Sequence, residues 1–415
     1  MAFAQAYLAK QALRKEIPNP HPHLQMGIVI PCYREPSVMA TIDSLYASYL
    51  HYQQPLLVIV VVNSSERDTT GLKAYNRATY QQLLQRRTSY PETFRIFPIL
   101  LEDIRHKHAG AGYARKIGMD TLVEVFEKLR KPSGVIISMD ADTLVDVNFL
   151  NNVHEAYQHD SELGVATHGF RHPIDLPEYT LEHKQAIVAY ELHMRYYKHA
   201  LAFAGFPYAY YTVGSAFSCR AQLYVKQGGM NRRKAGEDFY FLHKLFPVAR
   251  VAELLDVKVF PSARVSDRVP FGTGPQVAQL ISSPTSLHTY ALSAFRQIRV
   301  FLDQVPAFYE MPPNPEVLKR IPPDLSAFFE AQGFLSALEE IHQHSASFAA
   351  FRKRFFGWFD AFRLLKLLNS MHEAGDYAKQ PVGQEAAKLA FELWRGRFVR
   401  EDLQELLMYY REKEG

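Results

Sequence analysis

Cysteine is nearly absent: Cys32 and Cys219 are the only two in 415 residues, too few for a disulfide framework, and a reducing intracellular setting is the simplest reading. The chain also lacks any run of about 18 apolar residues, which excludes a conventional membrane-spanning helix. Net charge is almost missing as well. With 47 Lys and Arg against 43 Asp and Glu, a formal charge of +4 leaves no concentrated basic face for nucleic acid, so any anion must be gripped locally. No internal repeat or low-complexity stretch occurs. The opening MAFAQAYLAKQALRKEI carries Lys10, Arg14 and Lys15 with no apolar run before a cleavage site. It does not read as a secretory signal, and a short amphipathic helix is expected there.

What is present is the composition of a globular protein, 47% hydrophobic and 22% charged, long enough for one large domain with a substantial appendage at roughly 100–200 residues per domain. Met26-Gly-Ile-Val-Ile30 and Leu56 to Val62 are short apolar segments that suit buried strands, and Ser37 to Tyr52 between them has helical spacing. Strand, helix, strand implies a parallel pair. Arg95 to Leu101 and Gly134 to Met139 read as further strands, with a helix over Ala111 to Leu129. The expectation is an α/β fold with a doubly wound, mostly parallel sheet flanked by helices. Thr180 to Phe203 looks helical and Tyr208 to Cys219 extended. Past Pro284 the pattern is almost wholly helical. These readings divide the chain into an N-terminal helical segment over 1–23, a catalytic domain over 24–280 and a helical C-terminal extension over 281–415.

In doubly wound sheets ligands sit beyond the carboxyl ends of the strands, and those positions are unusually polar here. Ser138-Met-Asp140-Ala-Asp142-Thr143 follows an apolar strand. Carboxylates at i and i+2 there can share Mg²⁺ or Mn²⁺ with a diphosphate, since hard oxygen ligands suit these cations and phosphate oxygens complete the shell. Neutralising a nucleoside diphosphate makes it a better leaving group. A solvated turn carries the same spacing, and the position after a buried strand favours the metal reading. Lys107-His-Ala-Gly110-Ala-Gly112-Tyr-Ala-Arg115 opens a helix with small residues through which backbone donors can approach an anion, while Arg115 offers phosphate a planar fork.

The first strand leads into Ile30-Pro-Cys-Tyr-Arg-Glu35-Pro and the second into Val60-Val-Val-Asn63-Ser-Ser-Glu-Arg-Asp68-Thr-Thr70. With these segments in order the chain resembles the family 2 glycosyltransferases of GT-A fold, whose first strand ends in Pro-X-Tyr-Asn-Glu and whose second ends in Val-Asp-Asp-Gly-Ser-X-Asp-X-Thr. Asn63 and Ser64 stand where two acidic residues are usual. The resemblance implies a nucleoside slot walled by Pro31 and Tyr33, with Glu35 or Asn63 receiving the base edge or ribose and Asp68 nearby; a UDP- or GDP-linked donor is expected. Gly214-Ser-Ala-Phe-Ser-Cys-Arg220, Gly228-Gly229 and Gly236-Glu237-Asp238-Phe resemble the family's acceptor half. There the aspartate of the pair takes the proton from the acceptor hydroxyl in inverting members. Asp238 inherits that role by resemblance, with Glu237 as competitor; two N-terminal helix charges favouring the macrodipole are the bland alternative. Arg268, in a loop from Arg264 to Gly274, is a candidate to close over the diphosphate, and Asp267 a further metal contact.

The resulting expectation is metal-dependent, inverting transfer of one sugar to an unidentified hydroxyl of a glycan, lipid-linked sugar or small molecule, with Asp140 and Asp142 on Mn²⁺ or Mg²⁺. The Gln-X-X-Arg-Trp motif of processive synthases is absent, which favours single transfer over polymerisation. Retaining transfer, nucleotidyl transfer and non-catalytic nucleotide-sugar or lipid binding are the rivals. His21, His23, His106, His108, His168 and His172 lack metal-site spacing, although His168 and His172 are candidates to line the acceptor cleft. Phe348 to Leu368 interleaves aromatics with Arg352, Lys353, Arg354, Arg363 and Lys366, a pattern open to peripheral membrane contact or to packing on the protein. A cytoplasmic protein, free or at the inner membrane face, is expected.

Overall fold

The computed structural model describes residues 2–11, 17–233, 236–266, 272–282, 286–398 and 402–415. They group into two compact units, Met1–Leu176 with Thr212–Ala278, and Pro177–Tyr211 with Gln279–Gly415.

In the first unit the apolar runs become strands. β1 (Met26–Cys32) and β2 (Leu56–Ser65) are buried at every position, as parallel strands covered on both faces must be. β3 (Phe94–Ile104), β4 (Val135–Ser138), β5 (Thr143–Val145), β6 (Leu163–Phe170), β7 (Phe217–Arg220) and β8 (Arg250–Pro261) complete an eight-stranded sheet in the order β3-β2-β1-β4-β7-β6-β8-β5. Helices Val38–Tyr52, Thr70–Arg86, Ala111–Lys128 and Phe149–His159 flank it. Met119, Leu122, Val123 and Phe126 of the third are fully buried, and their helical spacing fixes which face meets the sheet. That leaves Arg115, one turn before Met119, at the end of the helix nearest the strand termini.

The α/β class expected from the sequence, a helix-flanked sheet with a helical C-terminal part, is the one observed. Strand direction is more mixed than expected. β3-β2-β1-β4 are parallel, but β7 runs antiparallel to both β4 and β6, and β5 antiparallel to β8. Four-residue strands such as Val135–Ser138 and Phe217–Arg220, buried throughout, carry no alternation that reports direction. The extended stretch expected over Tyr208 to Cys219 pairs only from Phe217 onward.

This mixed topology sets the site. Because β7 is antiparallel to β4, with Phe217 opposite Ser138, the segment leading into β7 lies beside the segment leaving β4. Thr143 pairs with Pro261, so the chain leaving β8 passes Asp142. Residues far apart in sequence therefore converge at one edge of the sheet, the edge at which β1, β2 and β4 end.

In the second unit Leu181–Phe203 packs with Val382–Trp394 and Leu403–Glu414. Arg411 donates two hydrogen bonds of 2.7 Å to the fully buried Glu191, a bidentate pairing that compensates the desolvated carboxylate. Around Phe301, which is fully buried, cluster Phe308, Phe329, Phe334, Phe355 and Phe359. Helix Phe348–Trp358 therefore spends its aromatic side inside the unit: Phe351, Phe355 and Phe356 are buried while Arg352, Lys353 and Arg354 are exposed. Most of the apolar side of this helix is therefore core, while Phe348 at its start is 38% exposed. Among the described residues no helix is long and apolar enough to cross a membrane.

Candidate active site

Arg115 is the hub of the strand-end cluster. Its guanidinium, 3% exposed, donates from Nε to Glu237 at 3.2 Å, from Nη1 to Ser138 Oγ at 2.5 Å and the Gly214 carbonyl at 2.9 Å, and from Nη2 to Asp140 Oδ1 at 2.9 Å. Burial works against its charge, but Asp140, Glu237 and Asp238 outweigh burial and hold the group above the ordinary arginine value. The fork expected to hold the donor's phosphates is thus committed inside the protein. Arg115 organises Asp140, Glu237 and the neighbouring Asp238.

Glu237 and Asp238 open the helix Glu237–Leu245, entered through Gly236 at φ 68°. Glu237 is 4% exposed, and burial raises its carboxyl against the opposing pull of Arg115. It touches Gly112, where a Cβ would meet the Arg233 carbonyl oxygen at 2.2 Å and Glu237 Cβ at 2.9 Å. Gly112 thus leaves room for the helix that carries Glu237 and Asp238. Asp238 is only partly buried, and its Oδ1 accepts the Phe239 N–H at 2.7 Å. Burial, then the Glu237 charge, push its carboxyl up to about 7 while Arg115 opposes. Gly214 lies between the two partners: a Cβ there would sit 2.8 Å from Arg115 Nη2 and 3.0 Å from Asp238 Oδ2. Asp140 and Asp238 are thereby both brought near one guanidinium.

Asp142 belongs to a neighbouring cluster built on Arg264, which the sequence reading passed over in favour of Arg268. Arg264 Nη2 donates to Asp142 Oδ2 at 3.2 Å and to Glu35, and Nη1 to Ser37 Oγ at 3.2 Å. Glu35 is 2% exposed and its Oε1 also accepts the Ser37 N–H at 2.8 Å. The turn that aims Glu35 needs Arg34 at φ 49°, a conformation tolerated because its N–H is held by Asn76 Oδ1 at 3.0 Å and one that tends to gather at functional sites. A signal for Arg264 was its place three residues past β8, but the charged sequence Arg250–Pro261 disguised that strand. Asp267 and Arg268 lie outside the described residues.

At the neighbouring strand ends Tyr33 is partly exposed and donates to Asp68 Oδ1 at 3.1 Å, while Asp68 Oδ2 accepts the Ser65 N–H at 2.8 Å. Asp68 closes the β2 turn and orients Tyr33. Pro31 is buried within β1 opposite Val61, because the strand runs two residues past the apolar segment expected to end there. Asn63 is 3% exposed and its Oδ1 has no protein partner among the described residues. A buried acceptor without a protein partner is costly unless water or a ligand satisfies it. His168 sits inside β6, bonded to Ser218 at 2.9 Å and driven down to about 3 by burial. It is a neutral core residue and not part of a cleft lining.

Among the described residues no three His, Cys, Asp or Glu side chains form a metal cluster by themselves. Asp140 and Asp142, with side chains 40% and 21% exposed, are hard oxygen donors of the type Mg²⁺ or Mn²⁺ takes, and each lies against an arginine, Arg115 or Arg264.

No family model matches the chain, and no curated protein does. Among solved structures the chain is similar to S. aureus TarS 1-349 in complex with UDP-GlcNAc, at TM-score 0.39 and 13% identity over 91% of this chain and 93% of that one. It is similar to mannosyltransferase PcManGT from Pyrobaculum calidifontis in complex with GDP-Man and Mn²⁺, at TM-score 0.35 and 15% identity over 100% and 94%. Glucosyl-3-phosphoglycerate synthase from Mycobacterium tuberculosis, in complex with Mn²⁺, UDP and phosphoglyceric acid, matches at TM-score 0.33 and 13% identity over 66% and 89%.

Proposed function

We propose that the chain is a glycosyltransferase that moves one sugar from a UDP- or GDP-linked donor to an acceptor hydroxyl with inversion. What supports this reading above all is the convergence of Asp140, Glu237 and Asp238 on Arg115 beside the strand ends. Nucleoside recognition falls to Tyr33 and to Asn63, whose Oδ1 has no protein partner among the described residues. Asp140 and Asp142 hold a Mn²⁺ or Mg²⁺ ion, which supplies charge neutralisation for the departing diphosphate. Asp238 is the general base and Glu237 is not: Glu237 is held by Arg115, whereas Asp238 is partly exposed and its Oδ2 faces the Gly214 side of the cluster. The acceptor oxygen forms its bond to the anomeric carbon as the bond to the diphosphate oxygen breaks, the leaving group keeps that electron pair, and the hydroxyl proton passes to Asp238.

Thermal unfolding in the presence of UDP-, GDP- and dTDP-sugars, each with and without Mn²⁺, tests the reading. One nucleotide series should stabilise the protein in a Mn²⁺-dependent way, since selective binding to the native state raises stability by mass action. Absence of stabilisation by every donor would contradict it.

A further inference from the structure

Arg264 ties together two carboxylates of unequal character. On one side is the buried Glu35, held also by the Ser37 N–H at 2.8 Å. On the other is Asp142, 21% exposed and bonded at 3.2 Å. Withdrawing Arg264 from the buried Glu35 would take a charged partner from a desolvated carboxylate, which costs more than withdrawing it from the more exposed Asp142, so the Asp142 bond is the one that opens more readily. The other member of the Asp-X-Asp pair, Asp140, faces Arg115 at 2.9 Å. Each carboxylate that would bind a dication therefore already has an arginine against it, and both arginines are anchored by a second, buried carboxylate, Glu35 or Glu237.

Resting on the glycosyl-transfer reading above, we propose that Arg264 is a positioning residue that makes capture of the divalent cation conditional on the donor diphosphate. A dication entering alone meets the positive charges of Arg115 and Arg264 and must displace Arg264 from Asp142. A diphosphate brings negative charge that reverses this balance and gives the guanidinium an alternative partner, while Glu35 keeps it in place. Cation and donor then bind with positive coupling, and that coupling is reciprocal.

The test is Mn²⁺ titration of the full chain, by calorimetry or by the electron paramagnetic resonance of free Mn²⁺, with and without saturating UDP or GDP. Wild type is expected to bind Mn²⁺ weakly alone and more tightly with the diphosphate. Arg264→Gln is expected to bind Mn²⁺ alone at least about tenfold more tightly than wild type, the factor one charge-assisted hydrogen bond is worth, and to lose a corresponding part of the coupling. Arg264→Lys keeps a cation beside Glu35 and is expected to stay near wild type. Equal Mn²⁺ affinity in wild type with and without diphosphate overturns the proposal, as does an Arg264→Gln variant that binds Mn²⁺ alone no more tightly. Failure of every nucleotide to bind would sink glycosyl transfer, while the comparison of the variants with Mn²⁺ alone would still decide the competition by Arg264.

Discussion

Asp238→Asn separates a catalytic carboxylate from a structural one, because the two roles move activity and stability in different directions. The side chain keeps its shape, and its Oδ1 can still accept the Phe239 N–H now seen at 2.7 Å. What goes is a charge that the fold opposes: the carboxyl stands at about 7 against an ordinary 3.8. Between those values the native state holds a proton that the unfolded chain has released, so stability falls as pH rises through the window. At about 1.36 kcal/mol per pH unit, the ionised group costs on the order of a few kcal/mol by pH 8. The variant should therefore unfold at a higher temperature than wild type at pH 8, with the difference vanishing near pH 4. Donor binding should be unchanged, while sugar transfer should fall by about 10² to 10⁴, the usual contribution of a general base. Nucleoside diphosphate release coupled to acceptor glycosylation measures the one, and thermal unfolding at the two pH values measures the other. Turnover kept within a few-fold would refute the base assignment. A lower unfolding temperature at pH 8 would refute the electrostatic reasoning.

Two further outcomes are expected. In Gly214→Ala the new methyl, 2.8 Å from Arg115 Nη2 and 3.0 Å from Asp238 Oδ2, meets a guanidinium that its own hydrogen bonds hold still, so Asp238 must move; kcat should fall with donor affinity little changed, and a lost donor affinity would place Gly214 in the donor half. The acid limb of kcat/KM should rise with pH to a midpoint at or below about 7, since Asp238 must be ionised to act and a bound cation can only lower a value of about 7; activity that falls over that range would contradict the assignment.

The parallel half of the sheet was legible because β1, β2 and β4 are buried on both faces and read as unbroken apolar runs. The polar residues just beyond them stood out for the same reason. β8 was not legible: Glu253, Asp256 and Lys258 interrupt it, and without β8 the importance of Arg264 could not be seen. The antiparallel insertion of β7 was equally hidden, and with it the juxtaposition of Gly214 and Asp238 with Arg115. Residue type alone did not reveal the partners of Arg115. An arginine at the opening of a helix offers itself to an anion, and only the surrounding Ser138, Asp140, Gly214 and Glu237 reveal that its donors are used within the protein. The Phe348–Trp358 stripe shows the same ambiguity, since a face bound for a core and one bound for a lipid surface have the same periodicity.

Crystals soaked with Mn²⁺ and UDP or GDP give the most direct measurement, through the anomalous signal of the metal. The expected result is a peak within bonding distance of Asp140 or Asp142 and of a phosphate oxygen, with Asp238 facing the open side of that phosphate. A nucleotide-bound crystal with no Mn²⁺ at either carboxylate, or with Asp238 turned away from the diphosphate, would contradict it.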